Sequence, residues 1–177
     1  MNSPKCTDED YVQYLLATPH VVSAVEASRV HREVSHDAFT RLLTRLEPDP
    51  GELSREVEPY ISRTQGMLVL DDSTLDKPYA KKMDLVSYHW SGKHHRPVQG
   101  INLVTLLWTD GDQHLPCDWR IYDKDGSSKN DHFIAMMRAA RDRGFRPSCV
   151  GFDGWYSSLE NLKLLRTCVT AVGDGRA

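Results

Sequence analysis

No apolar run in the sequence comes near the roughly 18 uninterrupted residues that suggest a membrane span. The opening stretch, MNSPKCTDEDY, is acidic and has neither the basic n-region nor the apolar segment of a secretory signal. Together these point to a cytoplasmic protein with no membrane partner. Cysteine is sparse and unpatterned: Cys6, Cys117, Cys149 and Cys168 show no CxxC spacing, which argues against a zinc site. Three of them lie in apolar, strand-like runs, so the four are expected as reduced core residues. A strong basic excess is missing too. With a net charge of −3, any nucleic-acid contact has to rest on local clusters.

What is present is organised around Gly66 to Asp76, GMLVLDDSTLD. Met67, Leu68, Val69 and Leu70 run directly into Asp71 and Asp72, the pattern of a buried central strand that delivers acid into a cleft at its C-terminal end. A second run of the same design follows late, where Cys149, Val150, Gly151 and Phe152 lead into Asp153. Two such strands side by side bring two carboxylates together. A hard divalent cation with oxygen ligands, most simply Mg²⁺, relieves their repulsion.

Residues 1–65 read as helical, with helices from Thr7 to before Pro19, over about 21–32, and from Ser35 or His36 to Leu46. The last has Phe39, Leu42, Leu43 and Leu46 on one face and Arg41 and Arg45 on the other, and Pro48, Pro50 and Gly51 are expected to stop it. A helix-turn-helix-like DNA-binding unit and an ordinary helical domain both fit this periodicity. Beyond Gly66 the pattern turns to strands: 98–108, an Asp110-Gly111 hairpin turn, and an edge strand 114–122 carrying Pro116. In that edge strand Leu115, Cys117, Trp119 and Ile121 share one face, and His114, Pro116, Asp118 and Arg120 the other. A helix with Phe133, Met136, Met137 and Ala140 inward and a stop at Gly144 follows, then the second Asp-bearing strand, a helix opened by Ser157, and a final run 168–172.

The first basic cluster is Lys77, Lys81, Lys82, Lys93 and Arg96; the second is Arg138, Arg141, Arg143 and Arg146. Each reads either as a solvated face or as a phosphate-tracking surface. His89, His94 and His95 with Trp90 lack the i, i+4 spacing that aims two imidazoles at one metal, and are expected in a loop between strands.

LVLDDSTLDKPYAKK, the long strand after it, and VGFDGWYSSLENLKLL resemble the first two catalytic blocks of insertion-sequence DDE transposases, a group with a ribonuclease-H-like core. The resemblance covers about residues 66–166 and implies an α/β fold: a helical region over 1–65, then a ribonuclease-H-like mixed sheet over 66–177. It implies two Mg²⁺ or Mn²⁺ ions, with Asp72 as bridging ligand and Asp153 as ligand of one ion. Asp71 stays open as the alternative to Asp72. It further implies cleavage and strand transfer at transposon-end DNA, contacted through Lys77, Lys81, Lys82, Lys93 and Arg96, in a nucleoid-associated protein. The family's third carboxylate is a Glu on a helix well downstream of the second Asp. Glu160 is the only Glu after Asp153, and Ser157-Ser158-Leu159-Glu160 reads as a capping box that already occupies it. The expectation is a copy cut short before its third acid, with an incomplete sheet, marginal solubility and no activity alone. The alternative is a non-catalytic fragment that binds DNA, full-length transposase or itself, and inhibits.

Overall fold

The computed structural model describes residues 5–19 and 22–168, and the chain divides into two compact units at Pro48/Asp49. The expected run 168–172 lies outside the described residues apart from Cys168, which is buried in the turn after the last described helix.

Among the described residues the first unit has three helices, α1 (Asp8–Ala17), α2 (Ala24–Val30) and α3 (His36–Arg45). Each starts at a side-chain cap where the sequence offers one. Thr7 and Asp10 form a reciprocal capping box, and Ser23 and Ser35 accept from the amides of Glu26 and Ala38. Tyr14, Ala27, Ala38, Phe39 and Leu42 pack with Cys6 into a small core. Of the four apolar residues expected on one face of the third helix, Leu43 and Leu46, the latter the C-cap of α3, are instead exposed. Arg45 reaches the Cys6 carbonyl, so it ties the unit together.

The second unit opens with α4 (Pro50–Val57), where the sequence pattern had suggested only a stop. Asp49 accepts from the amides of Gly51 and Glu52, and Pro50 takes the first helical position, where its missing N–H costs nothing. Helix α4 packs on the sheet, and Val57 and Ile61 join the sheet's core. Residues 49–65 are therefore part of the sheet unit and do not extend the helical one.

Among the described residues the sheet of the second unit has five strands: β1 (Met67–Asp76), β2 (Ser87–Ser91), β3 (Arg96–Thr109), β4 (His114–Tyr122) and β5 (Cys149–Phe152). Strand β1 lies between antiparallel β3 and parallel β5, as the sequence order implied. Strands β2 and β4 both pair with β3, β2 along residues 96–100 and β4 along 102–109. The 114–122 run is at the edge, as its proline required. Gly66, at φ 78°, starts β1 so close to the end of β3 that a Cβ there would lie 2.6 Å from the Thr109 carbonyl oxygen.

Helix α5 (Lys129–Asp142) begins at a Ser128/Asp131 capping box and lays Phe133, Met136, Met137 and Ala140 on the face built by Leu68, Leu70, Val104, Leu106 and Trp108. Helix α6 (Leu159–Leu165) adds Leu165. One expectation for β4 fails here. Leu107 pairs with Pro116 and Leu106 with Asp118, so Cys117 is an extra, bulged residue. The bulge moves everything after it to the opposite face. Asp118 is turned inward and fully buried, where Arg120 and Arg143 both bond its carboxylate.

Candidate active site

Strand β1 does not end at its acids; it runs on through them to Asp76. What ends is the parallel pairing with β5, whose last partners are Leu70 and Phe152. Asp71 and Asp72 follow Leu70 within β1, still paired with β3, and Asp153 follows Phe152, so the three acids stand close to where that parallel pairing ends. They line one cleft of about 460 Å³ together with Trp90, Gly92, Lys129 and Trp155. Alternation separates the two neighbours: Asp72 shares the helix-covered face with Leu68 and Leu70, whereas Asp71 is exposed and accepts from the Asp72 amide at 2.8 Å.

Asp72 is held by three side chains. Its Oδ2 accepts from Asn102 Nδ2 at 2.8 Å and from Lys129 Nζ at 2.6 Å, and its Oδ1 from the Tyr156 hydroxyl at 3.1 Å. Burial works against its charge, but the bonds from Lys129, Asn102 and Tyr156 outweigh that, and the carboxyl is held below the usual range. Tyr156 responds in the opposite sense. Its hydroxyl is pushed well up, first by burial and then by the charges of Asp72, Asp71 and Asp153. All three carboxylates thus act on one phenol. Asn102 is fully buried, and its Oδ1 has no hydrogen-bond partner in the described structure. A buried unpaired acceptor costs about 1–3 kcal/mol, and the amide's Nδ2 is spent on Asp72 and, at 3.4 Å, Thr74.

Asp153 is exposed and caps the short 3-10 turn Gly154–Tyr156 through the Trp155 amide. That turn carries Tyr156 back beneath Asp72, where its ring stacks on Phe133. Trp155 and Trp90 stand exposed at the rim.

The hard carboxylate oxygens of Asp72 and Asp153 suit a hard divalent cation such as Mg²⁺, which uses one or two protein carboxylates and completes its shell with water or phosphate. Among the described residues no group of three or more His, Cys, Asp or Glu side chains could hold a metal ion. Glu160 does not supply a third. The N-cap of α6 is Ser158, one residue later than expected, and it bonds Asn161, so the capping box is not formed and Glu160 is exposed. Nor do the histidines gather. His89 is buried in β2 with its Nε2 on Ser87 Oγ, His94 pairs with Asp76, and His95 sits in a turn at φ 48°.

Of the first basic cluster, Lys77, Lys81, Lys82, Lys93 and Arg96 are all exposed. Lys93 borders a cleft shared with Asp72 and Trp90, and Arg96 borders one with Asp76, Tyr88 and His94. The second cluster is largely structural: Arg143 bonds buried Asp118, Arg141 bonds Asp142, and Arg146 bonds backbone carbonyls. Of the cysteines, Cys6, Cys117 and Cys168 are buried, whereas Cys149 is exposed, contrary to its reading as a core residue; it opens β5. Among the described residues no helix is long and apolar enough to cross a membrane.

No curated protein and no solved structure matches the chain. A family model described as DDE superfamily endonuclease matches residues 7–132, a span that takes in Asp71, Asp72, Asn102 and Lys129 and stops before Asp153. Endonucleases of this superfamily act on DNA and use divalent metal ions. With the match covering most of the sequence, the chain belongs to the DDE superfamily endonucleases.

Proposed function

We propose that this protein is a transposase-type member of the family, that Asp72 and Asp153 hold one divalent cation, Mg²⁺ or Mn²⁺, and that its partner is DNA at the ends of an insertion element. The observation that carries the reading is that parallel pairing stops at Leu70 and Phe152, with Asp71 and Asp72 next on β1 and Asp153 next after β5, and that these acids line one cleft. A cation bound there supplies Lewis acidity toward a phosphodiester oxygen and makes water nucleophilic near neutral pH. The chain's own contribution is orientation. Asn102 and Tyr156 fix the rotamer of Asp72 with neutral donors, and the capped turn after Asp153 sets its direction. Exposed Lys77, Lys81, Lys82, Lys93 and Arg96 carry the phosphate contacts.

A two-ion displacement needs a further acid. We therefore propose that the chain unaided binds DNA but does not cut it. In this second, non-catalytic reading the protein occupies DNA or a transposase as an inhibitor. The test is incubation of supercoiled plasmid with the purified chain in Mg²⁺ and in Mn²⁺, beside Asp72→Ala and Asp153→Ala. Intact plasmid with retained DNA binding is the expected result. Nicking that both substitutions abolish would show an active enzyme and end the inhibitor reading.

A further inference from the structure

Lys129 stands where local physics disfavours it. It is the first residue of α5, and the positive end of a helix repels an ammonium. Capping there is already complete through Ser128 and Asp131, so the helix has no use for the charge. The side chain instead crosses to β1, placing Nζ 2.6 Å from Asp72 Oδ2, with only 20% of its surface exposed. Two rings flank it, Tyr122 from β4 and Trp155 from the turn after β5, their centroids 5.6 and 5.8 Å from the nitrogen. A cation held over two aromatic faces and against a carboxylate is a built arrangement. Among the described residues lining the cleft, Asp71, Asp72 and Asp153 stand against this one ammonium, so the lining stays short of positive charge even with Lys129 in place.

We propose that Lys129 is the resident cation of this cleft, and that a divalent ion binds by displacing its ammonium from Asp72 Oδ2. The inference rests on the reading of Asp72 as a metal ligand and adds the event that admits the ion. Of the three donors on Asp72, two are neutral and can stay when a cation arrives, because Asn102 and Tyr156 approach without charge. Only the Lys129 ammonium competes for the same oxygen with like charge. Its four-carbon stem lets the nitrogen leave while the backbone stays in α5. Lys129 is thus a positioning residue that holds Asp72 aligned without metal, and it sets how much metal is needed to load the site.

The experiment is calorimetric titration of the full chain with Mn²⁺, comparing the parent with Lys129→Met, Lys129→Gln, Lys129→Arg and Asp72→Asn, each first shown to be folded by circular dichroism. Removing a competing charge-assisted bond is expected to tighten Mn²⁺ binding by roughly tenfold or more in Lys129→Met and Lys129→Gln. Lys129→Arg is expected to bind like the parent and Asp72→Asn not at all. In chelator, Lys129→Met should melt below the parent, and Mn²⁺ should raise its melting temperature by more. Equal or weaker Mn²⁺ binding in both neutral variants, with the parent binding, would overturn displacement and leave the metal site standing. Absence of binding in the parent and in both neutral variants would remove the metal site itself, and displacement with it.

Discussion

The hydroxyl of Tyr156 donates to Oδ1 of Asp72 across 84 positions of sequence. This bond couples the turn after β5 to the middle of β1 and fixes the carboxylate from the side opposite Lys129. Tyr156→Phe keeps the ring stacked on Phe133 and removes only the donor, so it should destabilise the fold by about 1 kcal/mol. Tyr156→Ala empties a fully buried site and should cost about 3–5 kcal/mol. Urea unfolding of the two variants checks the difference.

Asp118 is a fully buried carboxylate whose charge is met by Arg120 and Arg143. Arg143→Ala leaves it with one guanidinium and should cost about 2–3 kcal/mol, more than a surface ion pair ever contributes. Thermal melts of Arg143→Ala beside Arg138→Ala test this, because exposed Arg138 should be nearly neutral.

That pair also shows where sequence reading stops. Leucine, cysteine, tryptophan and isoleucine at 115, 117, 119 and 121 alternate as an edge strand should, and only the bulge at Cys117 turns Asp118 inward. A bulge is set by pairing with β3, which the local pattern does not contain. Helix α4 was hidden for a different reason: Pro48, Pro50 and Gly51 are stop signals after α3, yet Asp49-Pro50 is equally a start. The central strand, its parallel neighbour and the acids that follow their apolar runs were legible because an apolar run leading into Asp is a local pattern. Asn102 and Lys129, 30 and 57 positions from Asp72, were not, since only the sheet order and the α5 crossover bring them there.

Thiol chemistry separates the cysteines. Burial first, and then the charge of Asp118, push the Cys117 thiol up to about 12, and Cys6 and Cys168 are likewise buried. At pH 8 the native protein should react quickly with a thiol reagent at exposed Cys149 and slowly elsewhere. Cys149→Ser should abolish the fast phase, and labelling followed by peptide mapping reads this directly.

Phosphate contacts through the segment from Lys77 to Arg96 should make duplex binding fall steeply with salt. Replacing Lys93 or Arg96 by Ala should lower the slope of log affinity against log salt by about one each. Fluorescence anisotropy at several salt concentrations measures it. Salt-independent binding, or none, would leave these side chains as a solvated surface.

Asp72 and Asp153 as joint holders of one divalent cation are tested most directly by diffraction from a crystal soaked in Mn²⁺, with an anomalous difference map computed at the manganese edge. The expected result is one peak in the cleft between β1 and β5, within coordinating distance of a carboxylate oxygen of Asp72 and one of Asp153, with the Lys129 ammonium moved off Asp72. A map with no peak there, or with manganese bound only elsewhere on the protein, would contradict the account.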